Sequence, residues 1–151
     1  MEHKLKRLSE KNLNESTKLY INVFNGEPWN DGWKEEDARE RLSDLFFHQR
    51  FWGIGIYDRE NNIVGFILGY TQKWLDQYHF YLNEMCVKQP LQGKGIGAKL
   101  LASLEIHCNK NNINRIYLLT ARVGQAEAFY KKNGYYVSPK MIMMSKRLEN
   151  I

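Results

Sequence analysis

Two cysteines in 151 residues, Cys86 and Cys108, with no Cys-x-x-Cys pair, leave neither a disulfide framework nor a cysteine zinc site. The four histidines, His3, His48, His79 and His107, have no metal-ligand spacing with one another or with the cysteines, so no metal is expected. No apolar run approaches the roughly 20 residues of a membrane span, and the first residues lack the apolar core of a signal peptide. A soluble protein of a reducing cytoplasm, with no membrane partner, is therefore expected. Prolines number only three, and neither a low-complexity linker nor an internal repeat divides the chain. Residues 1–151 read as one domain. Positive charge is in excess, with a formal net charge of +5, but Lys and Arg are scattered from Lys4 to Arg147. That scatter describes a solvated surface and speaks against nucleic acid as a partner.

What is present is a core-forming composition, 43% hydrophobic and 13% aromatic, with clear periodicity. Lys4 to Leu8 alternates as a strand, and Leu13, Thr17, Leu19, Tyr20, Val23 and Phe24 mark an amphipathic helix. Turn formers from Asn25 to Gly32 end it, and Lys34 to His48 supplies a second helix with Ala38, Leu42, Leu45 and Phe46 inward. Phe51 to Tyr57 and Ile63 to Thr71 flank a turn at residues 58–62, which predicts an antiparallel hairpin, and Phe80 to Val87 is the next strand. Ile96, Leu100, Leu101, Leu104 and Cys108 fall on one stripe of a helix from Gly95 to Lys110. Ile113 to Thr120 is β-rich, Gln125 to Lys132 is a short helix closed by Asn133-Gly134, and Tyr135 to Val137 and Met141 to Ser145 read as two last strands. The order β-α-α-β-β-β-α-β-α-β-β predicts an α/β domain with a mixed sheet.

The most informative stretch runs from Val87 through Pro90 into Gly93, Gly95 and Gly97 and then a helix. Glycines without Cβ atoms, followed by the unpaired N–H groups and positive dipole of a first helical turn, make an anion cradle, and phosphate is its natural guest. A dinucleotide fingerprint needs its third glycine one residue later, and a P-loop needs Ser or Thr after Gly-Lys, where this chain has Gly95. The remaining pattern, Gln92-x-x-Gly95-x-Gly97, resembles the pyrophosphate loop of the GCN5-related N-acetyltransferases, the GNAT family. Val87-x-x-Pro90 before it and Ile96 to Leu101 after it are similar to the same motif. Ala126 to Tyr135, with Phe129, Tyr130 and Gly134, resembles the family's second motif. The order of elements is also that of the GNAT fold, a mixed, mostly antiparallel sheet flanked by helices.

The resemblance implies acetyl-CoA as co-substrate and direct transfer of acetyl to a primary amine. Gln92, Gly93, Lys94, Gly95, Ile96, Gly97 and Ala98 would hold the pyrophosphate, Val87 would pair with the pantetheine arm, and the backbone of Met85 or Cys86 would donate to the thioester oxygen. Phe129 would adjoin the cofactor side. Tyr130 takes the place of the family's general acid, a phenol that protonates the departing thiolate. No His lies near Cys86 in sequence and the family transfers acetyl directly, so the Cys86 side chain reads as core.

Strand alternation places Leu82, Glu84 and Cys86 on one face, which puts a carboxylate among apolar groups. Glu84 is therefore the candidate base or acceptor anchor, the other reading being a structural partner for a Lys or Arg. Glu27, Trp29, Asp31 and Trp33, ahead of Glu35, Glu36 and Asp37, combine acid and aromatic surface suited to a cationic amine. Trp74, Tyr78 and His79 are a second aromatic group for the same cleft. The expected acceptor is a small polyamine or aminoglycoside-like cation, with a peptide or protein N-terminal amine or lysine second and a non-catalytic acyl-CoA-binding module as the rival from another class. A homodimer is admitted by this pattern and not required by it. The chain departs from the family at Val123, where many members have Asn, and at Gln92, where Arg is commoner.

Overall fold

The computed structural model describes residues 2–149, which fall into two compact units, one ending at Leu119 and one beginning at Thr120. The first unit contains β1 (Lys4–Arg7), α1 (Leu13–Phe24), α2 (Glu35–Phe46), β2 (Phe51–Tyr57), β3 (Ile63–Trp74), β4 (Gln77–Val87), α3 (Ile96–Lys110) and β5 (Ile113–Tyr117). Helix α1 buries Leu13, Ser16, Thr17, Tyr20 and Val23, the i, i+3, i+4, i+7 stripe that its sequence carries. In α2 the acids Glu35, Glu36 and Asp37 occupy the positive end of the helix, while Ala38, Leu42 and Phe46 go inward. The β2–β3 hairpin closes where Asp58 Oδ1 accepts from the backbone N–H groups of Glu60 and Asn62 at 3.0 and 2.9 Å.

The five strands lie in sequence order and pair antiparallel, except that β5 runs parallel to β4. This is the α/β fold expected from the sequence, with a mixed, mostly antiparallel sheet. Phe66, Leu68 and Cys86 pack with α1 and α2 in one core cluster. A Cβ built on the preceding residue, Gly65, would touch Leu100 of α3, so α3 covers the opposite face.

Pairing of β3 with β4 corrects one expectation from the sequence. Leu68 stands opposite Glu84 and Gly69 opposite Leu82, so Asn83 is an extra residue, a β-bulge. Residues opposite one another share a face, and Leu68 and Gly69 are consecutive. Leu82 and Glu84 therefore point to opposite faces, and strict alternation fails here. Tyr81, opposite Tyr70, joins Glu84 and Cys86 on the face of α1 and α2.

In the second unit α4 (Gln125–Lys132) forms as expected and is closed by Gly134, whose φ of +90° suits glycine and whose N–H bonds to Lys131 O at 3.1 Å. The two last strands do not form. Residues 135–149 contain no strand, and Met141, Ile142, Met143 and Met144 are largely exposed. β-propensity reflects packing on a paired, half-buried surface, and composition without a ladder does not make a strand.

The bulge presses on Gly69. A Cβ there would lie 2.0 Å from the carbonyl oxygen of Tyr81, a backbone atom that cannot step aside. Gly69→Ala should therefore lower unfolding free energy by about 1–3 kcal/mol in urea denaturation. An unchanged midpoint would mean that β4 runs without the extra residue.

Candidate active site

Gly93 and Gly95 adopt φ of +77° and +84°, the left-handed region in which a side chain is strained, and a Cβ on either would meet nothing within 4 Å. Gly95 is the N-cap of α3, so the N–H groups of Ile96, Gly97 and Ala98 in the first turn have no intrahelical acceptor. No acid occupies that turn, and Lys94 and Lys99 flank it. Ile96 is buried and anchors the turn to the core. Gln92 ties the loop to the strand before it, its side-chain amide donating to Val87 O at 2.9 Å. Open space in front of bare backbone donors fits the diphosphate of coenzyme A.

Beside the loop the sheet opens. β5 pairs with β4 only from Tyr78 to Tyr81, so the outer edge of β4 from Leu82 to Val87 has no strand partner among the described residues. Successive residues of an edge strand turn their N–H and C=O groups alternately toward the neighbouring strand and away from it. One of Met85 and Cys86 therefore presents its N–H to the open side. The Cys86 thiol is buried, which pushes it well above its ordinary range and leaves it a core side chain, not a nucleophile.

Glu84 is 8% exposed. Arg41 Nε of α2 donates to its Oε1 at 2.7 Å and Tyr20 of α1 donates its hydroxyl at 3.4 Å. Burial raises the carboxyl above the ordinary glutamate range, Arg41 opposes the rise, and Asp31 adds to it. The same burial, with the Glu84 charge, pushes the Tyr20 phenol upward. Next to this pair lies a cleft of about 350 Å³ lined by Asp37, Glu40, Arg41, Asp44, Leu45 and Asn83. Oδ1 of the bulged Asn83 is buried with no hydrogen-bond partner among the described residues. At the last rung before the strands part, Tyr81 and Tyr117 stack at 4.7 Å, and Tyr70 meets Tyr81 edge-on at 5.7 Å.

Sequence reasoning does not reach the tyrosine row, nor Glu40 and Asp44 of α2. Asp37, Glu40 and Asp44 stand at i, i+3 and i+7, a readable stripe, of which only Asp37 is counted with the acid and aromatic surface expected for the amine. In the expected acceptor loop, Trp33 packs on Tyr20 at 5.5 Å and gives its indole N–H to Asp31 at 3.2 Å, and Trp29 packs on Phe24 at 5.1 Å. Glu27 is exposed. Asp31 is the member of this loop that acts on Glu84. Trp74, Tyr78 and His79 lie elsewhere, since Tyr78 is six residues from Glu84 on one strand, roughly 20 Å. In the second unit Tyr130 is half-buried on α4, packed against Phe129 at 5.3 Å and Tyr135 at 5.5 Å. No group of three or more His, Cys, Asp or Glu able to hold a metal occurs among the described residues, and no helix there is long and apolar enough to cross a membrane.

A glycine cradle opening a helix beside the free edge of a central strand, within a mixed sheet, defines a coenzyme A-dependent acyltransferase. Residues 14–135 match the acetyltransferase (GNAT) family, and the chain belongs to that family. It is an acetyl-CoA-dependent N-acetyltransferase. Among curated proteins none matches the sequence significantly. Similar solved structures include an aminoglycoside acetyltransferase, meta-AAC0020, from an uncultured soil metagenomic sample, in complex with sisomicin, at 20% identity and a TM-score of 0.78 over 97% of both chains. A ribosomal-protein-alanine N-acetyltransferase from Brucella melitensis is 15% identical with a TM-score of 0.77, covering 97% of this chain and 100% of its own. A GNAT family acetyltransferase from Staphylococcus aureus is 17% identical with a TM-score of 0.73, covering 98% and 100%. At these identities the likeness speaks for the fold.

Arg41→Gln removes the cation that opposes burial, so Glu84 should hold its proton to still higher pH. A carboxyl whose native pKa exceeds its unfolded value binds the proton more tightly when folded. Its contribution to stability is full below about 4.3, the unfolded value, and is lost as pH rises through the native one. Urea unfolding between about pH 4 and about pH 8 should show the variant losing stability with rising pH more steeply than wild type, by about 1.4 kcal/mol for each pH unit the native carboxyl moves. Parallel profiles would remove Arg41 from the control of Glu84.

Proposed function

We propose that the chain moves acetyl from acetyl-CoA directly to a primary amine of a small polycationic acceptor, of the polyamine or aminoglycoside type, within a ternary complex. The observation that carries this reading is Glu84, a buried carboxylate held by Arg41 on the open strand edge, beside a cleft walled by Asp37, Glu40 and Asp44. Three acids against the one arginine already paired to Glu84 favour a cation, and the exposed faces of acidic and tyrosine side chains add charge pairing and cation–π attraction. The unpaired Oδ1 of Asn83 leaves an acceptor at the cleft wall for an ammonium donor. Glu27, Trp29, Asp31 and Trp33 form the outer rim of the acceptor region, with Asp31 nearest in effect to Glu84.

The bound co-substrate supplies the thioester whose C–S bond breaks as the new C–N bond forms. Gln92 to Ala98 bind its diphosphate, and the sequence motif around Phe129 supports a contact of that residue with the co-substrate. The free N–H of Met85 or Cys86 stabilises negative charge on the carbonyl oxygen. Glu84, directly or through a water, takes the proton that the ammonium must lose before it can attack; its raised pKa suits it to that task. Tyr130 gives a proton to the departing thiolate, so one proton leaves the amine and one reaches sulfur. The sequence motif around Tyr130 supports this last role.

Calorimetry and thiol-release assays over polyamines, aminoglycosides, amino acids and short peptides test the whole reading. Coenzyme A should bind wild type, and Gly95→Ala should weaken it about 10-fold or more, because a methyl group enters the cradle and strains the φ of the residue. No heat with coenzyme A would overturn the reading at its base. Binding without thiol release for any amine would leave an acyl-CoA-binding module, and turnover of peptides alone would move the acceptor to a protein terminus or lysine.

Tyr130→Phe keeps the ring and deletes the proton donor, and Glu84→Gln keeps the shape and deletes the base. Each should lower kcat by about 10²-fold or more with coenzyme A affinity retained. Undiminished turnover in either variant would return that residue to packing.

A further inference from the structure

The far end of the sheet carries a pocket that acetyl transfer does not use. It is an open hollow of about 260 Å³ where β1, the start of β2, the start of β4 and the C-terminal end of α3 meet. Helix α3 has 15 residues, about 22 Å at 1.5 Å per residue, with the glycine cradle at one end and His107 and Asn111 of the pocket at the other. The two sites are thus separated by the length of a helix.

Arg7 and Arg50 bring two guanidiniums to this pocket. Arg7 lies over the ring of Trp52 at 5.4 Å and Arg50 over Tyr78 at 5.2 Å, and Lys73 Nζ stands 4.5 Å from the same tyrosine ring. None of the lining side chains is acidic, and neither guanidinium has a carboxylate partner among the described residues. An aromatic face removes water from a guanidinium without neutralising it. Partial burial accordingly lowers Arg7 from its ordinary range. The half-buried rings of Phe51 and Tyr78 give the pocket its apolar surface, over buried Trp52 and Ile113.

We propose that this pocket binds a small organic oxyanion, a phosphate or carboxylate on an apolar body, with Arg7 and Arg50 gripping the anionic group. Guanidinium forks match the geometry of both oxyanions. A nucleic-acid strand is the other source of phosphate next to aromatic rings, and the pocket disfavours it. Base stacking needs exposed ring faces, whereas Trp52 is 4% exposed and stacked under His107 at 4.5 Å.

The inference stands apart from the acetyl-transfer reading and is tested on the whole chain by ¹⁵N NMR. Phenyl phosphate and benzoate are the probes, with inorganic phosphate and a single-stranded oligonucleotide as comparison arms. Phenyl phosphate or benzoate should shift the Trp52 indole and Asn111 amide signals saturably, at concentrations about 10-fold lower than inorganic phosphate requires. Arg7→Gln and Arg50→Gln should each weaken that response about 10-fold or more. Any phosphate response at the Gly93 to Ala98 amides should be unaffected by either change, which separates the two sites. Both arginines are exposed, and Arg7→Lys and Arg50→Lys, which keep the charge but not the fork, should fall between wild type and Gln. The proposal is overturned by silence of Trp52 and Asn111 up to about 10 mM probe, by Gln variants that respond like wild type, or by an oligonucleotide that moves those signals where phenyl phosphate does not.

Discussion

One extra residue in β4 decides which face of the sheet Glu84 takes. Tyr81 is fixed to the face of α1 and α2 by its pairing with Tyr70 and its stack on Tyr117. From that anchor, a regular strand would turn position 84 to the other face, toward the leucines of α3, and a carboxylate there would be unpaired. Insertion of Asn83 resets the alternation, so Glu84 meets Arg41 and Tyr20 instead. Removing a carboxylate from water costs several kcal/mol, and one cation with one hydroxyl offsets only part of it. The remainder is visible as a carboxyl that holds its proton above the ordinary glutamate range. A carboxyl of that kind is the product of incomplete compensation, so the strength of the Arg41 contact controls its protonation as much as the stability of the fold.

The glycine cradle and the helices were legible because their signals are local. Gly93 and Gly95 are glycine for the φ that they adopt, and α3 buries the stripe Ile96, Leu100, Leu101, Leu104 and Cys108 that its spacing announces. The bulge was not legible. Period-2 patterning has no mark for an inserted residue, and the only trace, Gly69, lies on the neighbouring strand, where lack of a side chain makes room for the Tyr81 carbonyl. The last segment failed for the opposite reason. Tyr135 to Val137 and Met141 to Ser145 have strand composition, but a strand is a relation between two chains of backbone, and no ladder among the described residues includes them.

Net charge gave the least guidance, because +5 is a sum over regions of opposite sign. Arg7, Arg50 and Lys73 gather near the start of β4, while Asp37, Glu40 and Asp44 gather beside Glu84 farther along it. Tyr78 and Glu84 are six residues apart, roughly 20 Å, and the Debye length in physiological salt is about 8 Å. Exposed charges that far apart are screened from each other. The cationic pocket therefore leaves the pKa of Glu84 to Arg41 and Asp31 close by. A strand long enough to outreach the screening length can carry two regions of opposite charge, each set by the side chains within one turn of helix or one rung of the sheet around it.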